Sequence, residues 1–140
     1  MGKHHALVLM VDGDVALLLV LAKELDQRGI GLIPAGSAVQ GRSLMAKLKP
    51  VVDMLIINCR VPGVCALAAE MVGRKPGLEV IGIISGHHQC NSCRPLLTYC
   101  FHDPELRDVR WMQRMVSLIQ SRVGRKPKPA VIRILRSSKS

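Results

Sequence analysis

Short, mostly apolar runs alternate with segments of helical periodicity along the first 85 residues of this 140-residue chain. Such runs are typical of strands that are covered on both faces of a parallel sheet. The chain has one Trp, one Tyr and one Phe, so its core must be aliphatic, which favours helices packed on a parallel sheet over an all-β sandwich. The runs occupy residues 6–11, 30–34, 54–57 and 79–84.

Helical periodicity places helices between these runs. Asp14 is predicted to N-cap a first helix that ends at Arg28-Gly29, and further helices are predicted over 38–48 and 65–72. A last helix is predicted from Pro104 through Val123. Strands alternating with helices in this way predict right-handed βαβ units and an open, doubly wound parallel sheet of the α/β class. The apolar stripe of the last helix comprises Leu106, Val109, Met112, Met115, Val116, Ile119 and Val123.

Polar side chains follow three of the predicted strands. Asp12 and Asp14 follow the first, Asn58 follows the third and Ser85 follows the fourth. In open parallel sheets the functional pocket lies beyond the carboxyl ends of the strands, near the point where the strand order reverses. We therefore expect these four residues to lie around one pocket.

These residues carry a resemblance to the receiver domain of two-component response regulators. Residues 11–14 look like the acidic cluster after its first strand, and 83–86 match the end of its fourth. Residues 53–63 are similar to its third strand and Pro-Gly loop, in which a phospho-accepting Asp stands five residues after a strand-opening Asp. Residues 101–106 resemble the start of its last helix. The resemblance implies a flavodoxin-like, five-stranded receiver fold with a shortened helix-four region.

The match departs from the family at the reactive positions. Asn58 stands where receivers have the phospho-accepting Asp, and an amide has no carboxylate oxygen to form an acyl phosphate or to bind Mg²⁺. Gly13 replaces one acid of the usual pair, and our alignment puts Cys100 in place of the Lys before the last helix. We expect a degenerate pocket with no catalytic residue, no cofactor and no Mg²⁺, made of Asp12, Asp14, Asn58, Ser85 and Cys100.

The residues of this pocket also have simpler interpretations. Asp12 and Asp14 are either a vestigial cation site or a loop acid and a helix N-cap. Asn58 can hold the pocket in one arrangement through hydrogen bonds. Ser85 is predicted to bond to backbone at the end of its strand.

The cysteines suggest a second type of site. Cys90-x-x-Cys93 has the spacing of a zinc-binding pair, which a second pair from His87 and His88, or from Cys100 and His102, could complete. The alternatives are redox chemistry and thiols in a loop. Because five cysteines is an odd number and no export signal is visible, we predict reduced cytosolic thiols, with Cys59 and Cys65 as small core residues.

Positive charge is concentrated at the C-terminus. Ten of the twenty Lys and Arg residues lie in 107–140, with a single acidic residue, Asp108. We divide the chain into a receiver-like domain, 1–124, and a basic tail, 125–140, which is either a solubilising end, a linker to an effector domain or a patch for a polyanion. The predicted polyanion or partner face comprises Arg107, Arg110, Arg114, Arg122, Arg125, Lys126 and Lys128.

The sequence therefore predicts a non-enzymatic, cytoplasmic pseudo-receiver. It would bind a protein partner, or a second copy of itself, through the face of its last helix without a phosphorylation switch. The alternative is a nucleic-acid-associated protein that the tail anchors non-specifically. We expect no membrane contact, because the longest apolar run near the N-terminus, 15–22, has eight residues, whereas a span needs about 20.

Overall fold

The computed structural model describes residues 4–49, 51–85 and 92–124. In these residues five strands alternate with four α-helices, and one short 3₁₀ turn precedes the last strand. None of the described helices is long and apolar enough to cross a membrane. The elements are β1 (Ala6–Val11), α1 (Val15–Asp26), β2 (Ile30–Ala35), α2 (Ala38–Leu48), β3 (Met54–Asn58), α3 (Val64–Arg74), β4 (Glu79–Ser85), the 3₁₀ turn (Arg94–Leu96), β5 (Tyr99–Asp103) and α4 (Val109–Gly124).

The sheet is entirely parallel, with strand order β2-β1-β3-β4-β5. The chain runs outward from β1 to β2 and then returns past β1 to β3, so the strand order reverses between β1 and β3. Val11 is in register with Ile57 at this point, which brings the carboxyl ends of the two strands side by side. The predicted α/β fold with a doubly wound, five-stranded parallel sheet is confirmed.

Helices cover both faces of the sheet, as the apolar runs predict. One core lies beneath α1 and α4 and contains Leu18, Leu21 and Met115. The other lies beneath α2 and α3 and contains Leu67 and Ala68. The cores are largely aliphatic, as expected, but the single Trp also belongs to the first of them. Trp111 is fully buried, and its indole N–H donates to the backbone carbonyl of His102 at 2.8 Å.

Two helix boundaries differ from the sequence prediction. Asp14 does cap α1, accepting from the backbone N–H of Leu17, but α3 continues through Gly73 to Arg74. The last helix begins at Val109 rather than at Pro104. Its first turn is capped by Asp108, whose carboxylate accepts from the N–H of Trp111, so Leu106 lies outside the helix and is 77% exposed instead of joining the apolar stripe.

Strand β5 does not correspond to any of the four apolar runs in the sequence. It is an edge strand in which Tyr99, Cys100 and His102 are exposed, so it lacks the apolar run that identifies the inner strands. Thr98 attaches it to β4, because its backbone N–H donates to Val80 O at 2.7 Å and its hydroxyl accepts from the N–H of Val80.

The connection from β4 to β5 contains no α-helix in its described part, residues 92–98. Leu97 packs instead on the face of β4 at Gly82, where a Cβ atom would stand 2.7 Å from Leu97 Cδ1. The absence of a side chain at Gly82 thus makes room for Leu97. This arrangement agrees with the expected shortening of the helix-four region.

A disulfide joins Cys65 of α3 to Cys93, which immediately precedes the 3₁₀ turn. The prediction that all cysteines are reduced thiols is therefore wrong for this pair, and Cys65 is not simply a small core residue. Cys59 and Cys100 take no part in this disulfide; Cys59 is buried and Cys100 is exposed. Sequence spacing did not reveal the pair because its members are 28 residues apart and meet where the 3₁₀ turn packs on α3.

The Gly82–Leu97 contact predicts opposite effects for two glycine substitutions. Gly82→Ala should lower the free energy of unfolding by about 1–3 kcal/mol, because Leu97 must move off the sheet. Gly73→Ala is the matched control: Gly73 lies in α3 with open space within 4 Å of where a Cβ would stand, and the substitution should raise stability by about 0.5–1 kcal/mol through helix propensity. Chemical denaturation of both variants measures the difference, and equal effects would contradict the close packing at Gly82.

Candidate functional site

A cleft of about 880 Å³ opens at the carboxyl ends of the strands. Asp12 and Asp14 reach it from the end of β1, Asn58 from the end of β3, and Asp103 from the end of β5. Three of the four residues predicted at the strand ends are thus brought together. The fourth, Ser85, lies at the carboxyl end of β4 in register with Asp103 but does not line the cleft.

Asp12 is the buried centre of this cleft, with 2% of its surface exposed. Its Oδ1 accepts from the backbone N–H of Asp14 at 2.9 Å, and its Oδ2 accepts from the side-chain amide of Asn58 at 3.2 Å. The side-chain oxygen Oδ1 of Asn58 in turn accepts from the backbone N–H of Arg60 at 3.0 Å. Asn58 therefore holds the ends of β1 and β3 in one arrangement, as its hydrogen-bonding capacity predicted.

The strongest contacts in the cleft come from Arg107, in the segment between β5 and α4. Its Nη1 and Nη2 donate to the two carboxylate oxygens of Asp12 at 3.1 and 2.8 Å. Its Nε and Nη2 donate to the two oxygens of Asp103 at 2.8 and 3.1 Å. Both pairs have the two-pronged geometry that makes Arg–carboxylate contacts strong, and Asp14 lies 4.0 Å from Nη1.

Arg107 is also held by the core beneath it. Its side chain is only 13% exposed, and its guanidinium carbon lies 4.7 Å from the centre of the buried Trp111 ring, a cation–π contact. Burial opposes the charged form of Arg107, but the hydrogen bonds to Asp12 and Asp103 outweigh that effect and raise its pKa above the ordinary value. Arg107 therefore carries a permanent positive charge at the point where the carboxylates converge.

The comparisons with known proteins support one fold. No protein-family model and no curated protein matches the chain. Among solved structures, a response regulator receiver domain protein from Clostridium thermocellum has a TM-score of 0.67 and 17% identity, covering 86% of this chain and 96% of its own. The chain has the receiver-domain fold.

Two further structures share this receiver fold. An orphan response regulator of H. pylori has a TM-score of 0.66 at 14% identity, covering 86% of this chain and 98% of its own. NtrX of Brucella abortus, solved in complex with ADP, has a TM-score of 0.68 at 20% identity, covering 96% of this chain and 30% of its own. At these identities the likeness is one of fold.

The residues of this receiver fold do not fit the Mg²⁺ ion that the resemblance implies. Mg²⁺ requires several oxygen ligands in octahedral geometry, but the guanidinium of Arg107 lies between the carboxylates of Asp12 and Asp103, and Asn58 contributes no charge. Within the described ranges, no three His, Cys, Asp or Glu side chains are grouped so that they could hold a metal ion. The interpretation of Asp14 as a helix N-cap is confirmed.

The assignment of Cys100 to this pocket is wrong. Cys100 is exposed in the middle region of β5, in register with Gly82, whereas Asp103 occupies the carboxyl end of the strand. Since β5 had no recognisable apolar run, the alignment placed the pocket position three residues too early. The positive charge expected to be missing is supplied by Arg107 from the other side of Pro104.

The zinc site predicted from the sequence is contradicted at one ligand. Cys93 is buried and bonded to Cys65, so its sulfur is not available as a zinc thiolate. Cys100 and His102 are exposed on β5. His87, His88 and Cys90 lie outside the described residues.

The predicted basic face is smaller than the sequence suggests. Arg107 turns into the cleft, and Arg122 pairs with Glu79 while its guanidinium lies 4.8 Å from the centre of the Tyr99 ring. Arg110 and Arg114 remain exposed on α4. Arg125, Lys126 and Lys128 lie outside the described residues.

Sequence reasoning missed Asp103 and misplaced Arg107. The signal that could have found them is their spacing of four residues on either side of Pro104, together with Asp12, a buried acid for which the sequence analysis identified no basic partner. Counting Arg107 with the basic residues of the last helix concealed this pairing, because helical periodicity assigns it to a solvent-facing position.

Removing Arg107 should be costly because it leaves a buried carboxylate without its partner. Arg107→Ala should lower the free energy of unfolding by about 3–5 kcal/mol, and Arg107→Lys should recover only part of the loss, since an ammonium cannot form both two-pronged contacts. The control, Arg110→Ala, removes an exposed Arg and should change stability by less than about 0.5 kcal/mol. Denaturant unfolding of the three variants measures these changes. An Arg107→Ala variant with unchanged stability would refute the role assigned to this side chain.

Proposed function

We propose that this chain is a phosphorylation-independent, receiver-like module of two-component-type signalling. It catalyses no reaction; it works in the cytoplasm and presents one fixed surface to a protein partner. The observation that carries the proposal is the position of Arg107, which is bound to Asp12 and Asp103 in the cleft where a receiver's phosphoryl group and cation would meet.

The chemistry at Asn58 supports the loss of phosphoryl transfer. Its amide nitrogen is a donor to Asp12, and its carbonyl oxygen accepts from the N–H of Arg60. Neither atom is a carboxylate oxygen that could attack a phosphoryl donor and form an acyl phosphate. The phospho-accepting carboxylate of a receiver is therefore replaced by an amide that holds the cleft in one arrangement.

The contacts of Arg107 also connect the cleft to α4. Arg107 lies against Trp111 on the first turn of the helix, and Trp111 packs edge-to-face on Phe101 of β5, with ring centres 5.6 Å apart. The orientation of α4 on β5 is thereby tied to an ion pair that no phosphorylation event breaks. A surface made by these two elements keeps one conformation.

That surface is a groove of about 530 Å³ between β5 and α4, which we call the β5–α4 groove. Tyr99 and Phe101 form its aromatic side, and Arg110 and Arg114 form its basic side. Aromatic and Arg side chains are among the residue types enriched at protein interfaces. The positive charge favours an acidic protein partner.

Phosphorylation chemistry tests the proposal directly. Incubation of the wild-type chain with acetyl phosphate and Mg²⁺ should add no phosphoryl group, as measured by intact-protein mass spectrometry beside a phosphorylatable receiver domain as positive control. A phosphoryl adduct in the cleft of the wild-type chain would refute phosphorylation independence.

Two variants separate the contributions of Asn58 and Arg107. Asn58→Asp restores a nucleophilic carboxylate but leaves Arg107 in the cleft, so its phosphorylation should be slower than that of the double variant Asn58→Asp/Arg107→Ala. Equal rates for the two variants would show that Arg107 does not block the cleft. Circular dichroism of each variant verifies that the comparison is made on folded protein.

The concentration of charge after residue 106 supports a second candidate function, attachment to a polyanion such as nucleic acid. Two exposed residues of α4, Arg110 and Arg114, would extend the charge of the basic tail 125–140 onto the domain. This binding would be non-specific, because it depends on charge rather than on contacts with base edges.

A salt-resolved titration distinguishes this second function from the first. If the tail is a polyanion anchor, the full chain should bind duplex DNA with a log–log salt slope of about −0.9 for each phosphate neutralised. The chain shortened to residues 1–124, which keeps every described element, should lose most of that slope. Equal binding by the two chains, or none near physiological salt, would eliminate the tail as an anchor.

A further inference from the structure

Helix α1 is apolar on its solvent-facing side as well as on its buried side. Every residue of 15–22 is apolar, although a helix that is apolar all round is typical of one that is covered on every side. The exposed members of this stretch, which we call the α1 face, are Val15, Ala16, Leu19 and Val20. Leu19 lies in the middle of the α1 face with 59% of its surface exposed. The described part of the chain therefore leaves an apolar patch open to solvent, which is the mark of an interaction site.

A groove of about 490 Å³ continues this apolar surface from α1 to α4. Val20 lines one side of the groove, and Val109 and Met112, from the start of α4, line the other. The two charged residues that line it, Glu24 and Arg28, are already paired with each other at 3.2 Å. The groove therefore offers apolar area without an unpaired charge, which fits the apolar surface of another protein better than an ion or a polyanion.

The two ends of the α1 face carry opposite charges. Asp14, the N-cap of α1, lies at one end, and about half of its side chain is exposed. Lys23 lies at the other end, is exposed, and has no ion-pair partner among the described residues. Such a surface is complementary to itself, because a two-fold axis that turns one copy over on another brings acid and base together at both ends.

A two-fold axis at Leu19 matches both the apolar centre and the charged ends of this surface. In two antiparallel copies of α1 such an axis sets residue 23 of one copy opposite residue 15 of the other. Lys23 of one copy then lies within reach of Asp14 of the other, and the two Leu19 side chains meet at the axis. An apolar centre with a polar rim is the usual composition of a protein interface.

We propose that the α1 face is a homodimer interface, in which two copies of this chain pack α1 antiparallel about Leu19 with reciprocal Lys23–Asp14 ion pairs. The β5–α4 groove lies on the other side of α4, and only Gln113 and Ser117 line both grooves. The dimer therefore leaves both β5–α4 grooves open, and a partner with two binding sites would gain avidity from engaging the two together. Dimerisation itself does not depend on the function proposed for the β5–α4 groove.

Sedimentation equilibrium of the full chain alone tests the proposal. The wild type should show a reversible monomer–dimer equilibrium that persists at about 0.5 M salt, because salt screens charges but not an apolar contact. Leu19→Glu brings two carboxylates together at the axis and should weaken dimerisation about 100-fold or more. The matched control is Leu48→Glu, which should leave dimerisation unchanged: Leu48 is 60% exposed but belongs to α2, on the opposite face of the sheet.

A second variant separates the ion pairs from the apolar contact. Lys23→Glu replaces two attractive pairs with two repulsive ones, so it should weaken dimerisation about fivefold or more at low salt. The difference from the wild type should shrink as salt is added, because exposed charges are screened. Circular dichroism of each variant verifies that the comparison is made on folded protein.

Three results would overturn the proposal. The first is a wild-type chain that stays monomeric up to about 0.5 mM, beyond the range of specific weak dimers, which would mean that a different partner or another part of the chain covers the α1 face. The second is a dimer that Leu19→Glu and Leu48→Glu affect equally, which would place the contact elsewhere. The third is a Lys23→Glu variant that dimerises like the wild type at low salt, which would refute the antiparallel arrangement.

Discussion

The carboxylate of Asp12 is the constraint on which the rest of the structure depends. It is buried at the point where the strand order reverses, and a buried charge is stable only when it is paired and hydrogen-bonded. Arg107 supplies the pairing with a two-pronged contact, and Asn58 and the N–H of Asp14 supply the remaining hydrogen bonds. The charge of Asp12 is therefore balanced from within the chain, by Arg107 in the segment that leads into α4.

This pairing joins parts of the molecule that are distant in sequence. Arg107 connects the end of β1 to the end of β5 through Asp12 and Asp103, and it rests on Trp111 in the core beneath α4. Arg107 makes these contacts from the segment 104–108, and α4 begins after it at Val109, where Asp108 caps the first turn. Through Trp111 and Phe101, this ion pair is also in contact with the elements that form the β5–α4 groove.

Much of the fold could be predicted because it depends on local patterns. The inner strands are apolar runs, α2 has the predicted bounds 38–48, and Asp14 caps α1 as expected. Strand β5 could not be read from its sequence, because an edge strand needs no continuous apolar run. The roles of Arg107 and Cys65 depend on partners 95 and 28 residues away, and charge counting or cysteine spacing carries no information about such pairs.

If Arg107 occupies the place of a divalent cation and a phosphoryl group, neither ligand can enter the cleft. An NMR titration of the wild-type chain with Mg²⁺ and beryllofluoride, a phosphoryl mimic, tests it most directly, with the Arg107 Nε–H and Trp111 indole N–H resonances as reporters. Neither reporter should shift in a saturable way, and Arg107 Nε–H should stay protected from exchange with water. Saturable shifts accompanied by release of Arg107 would show that the cleft still binds a cation and a phosphoryl group.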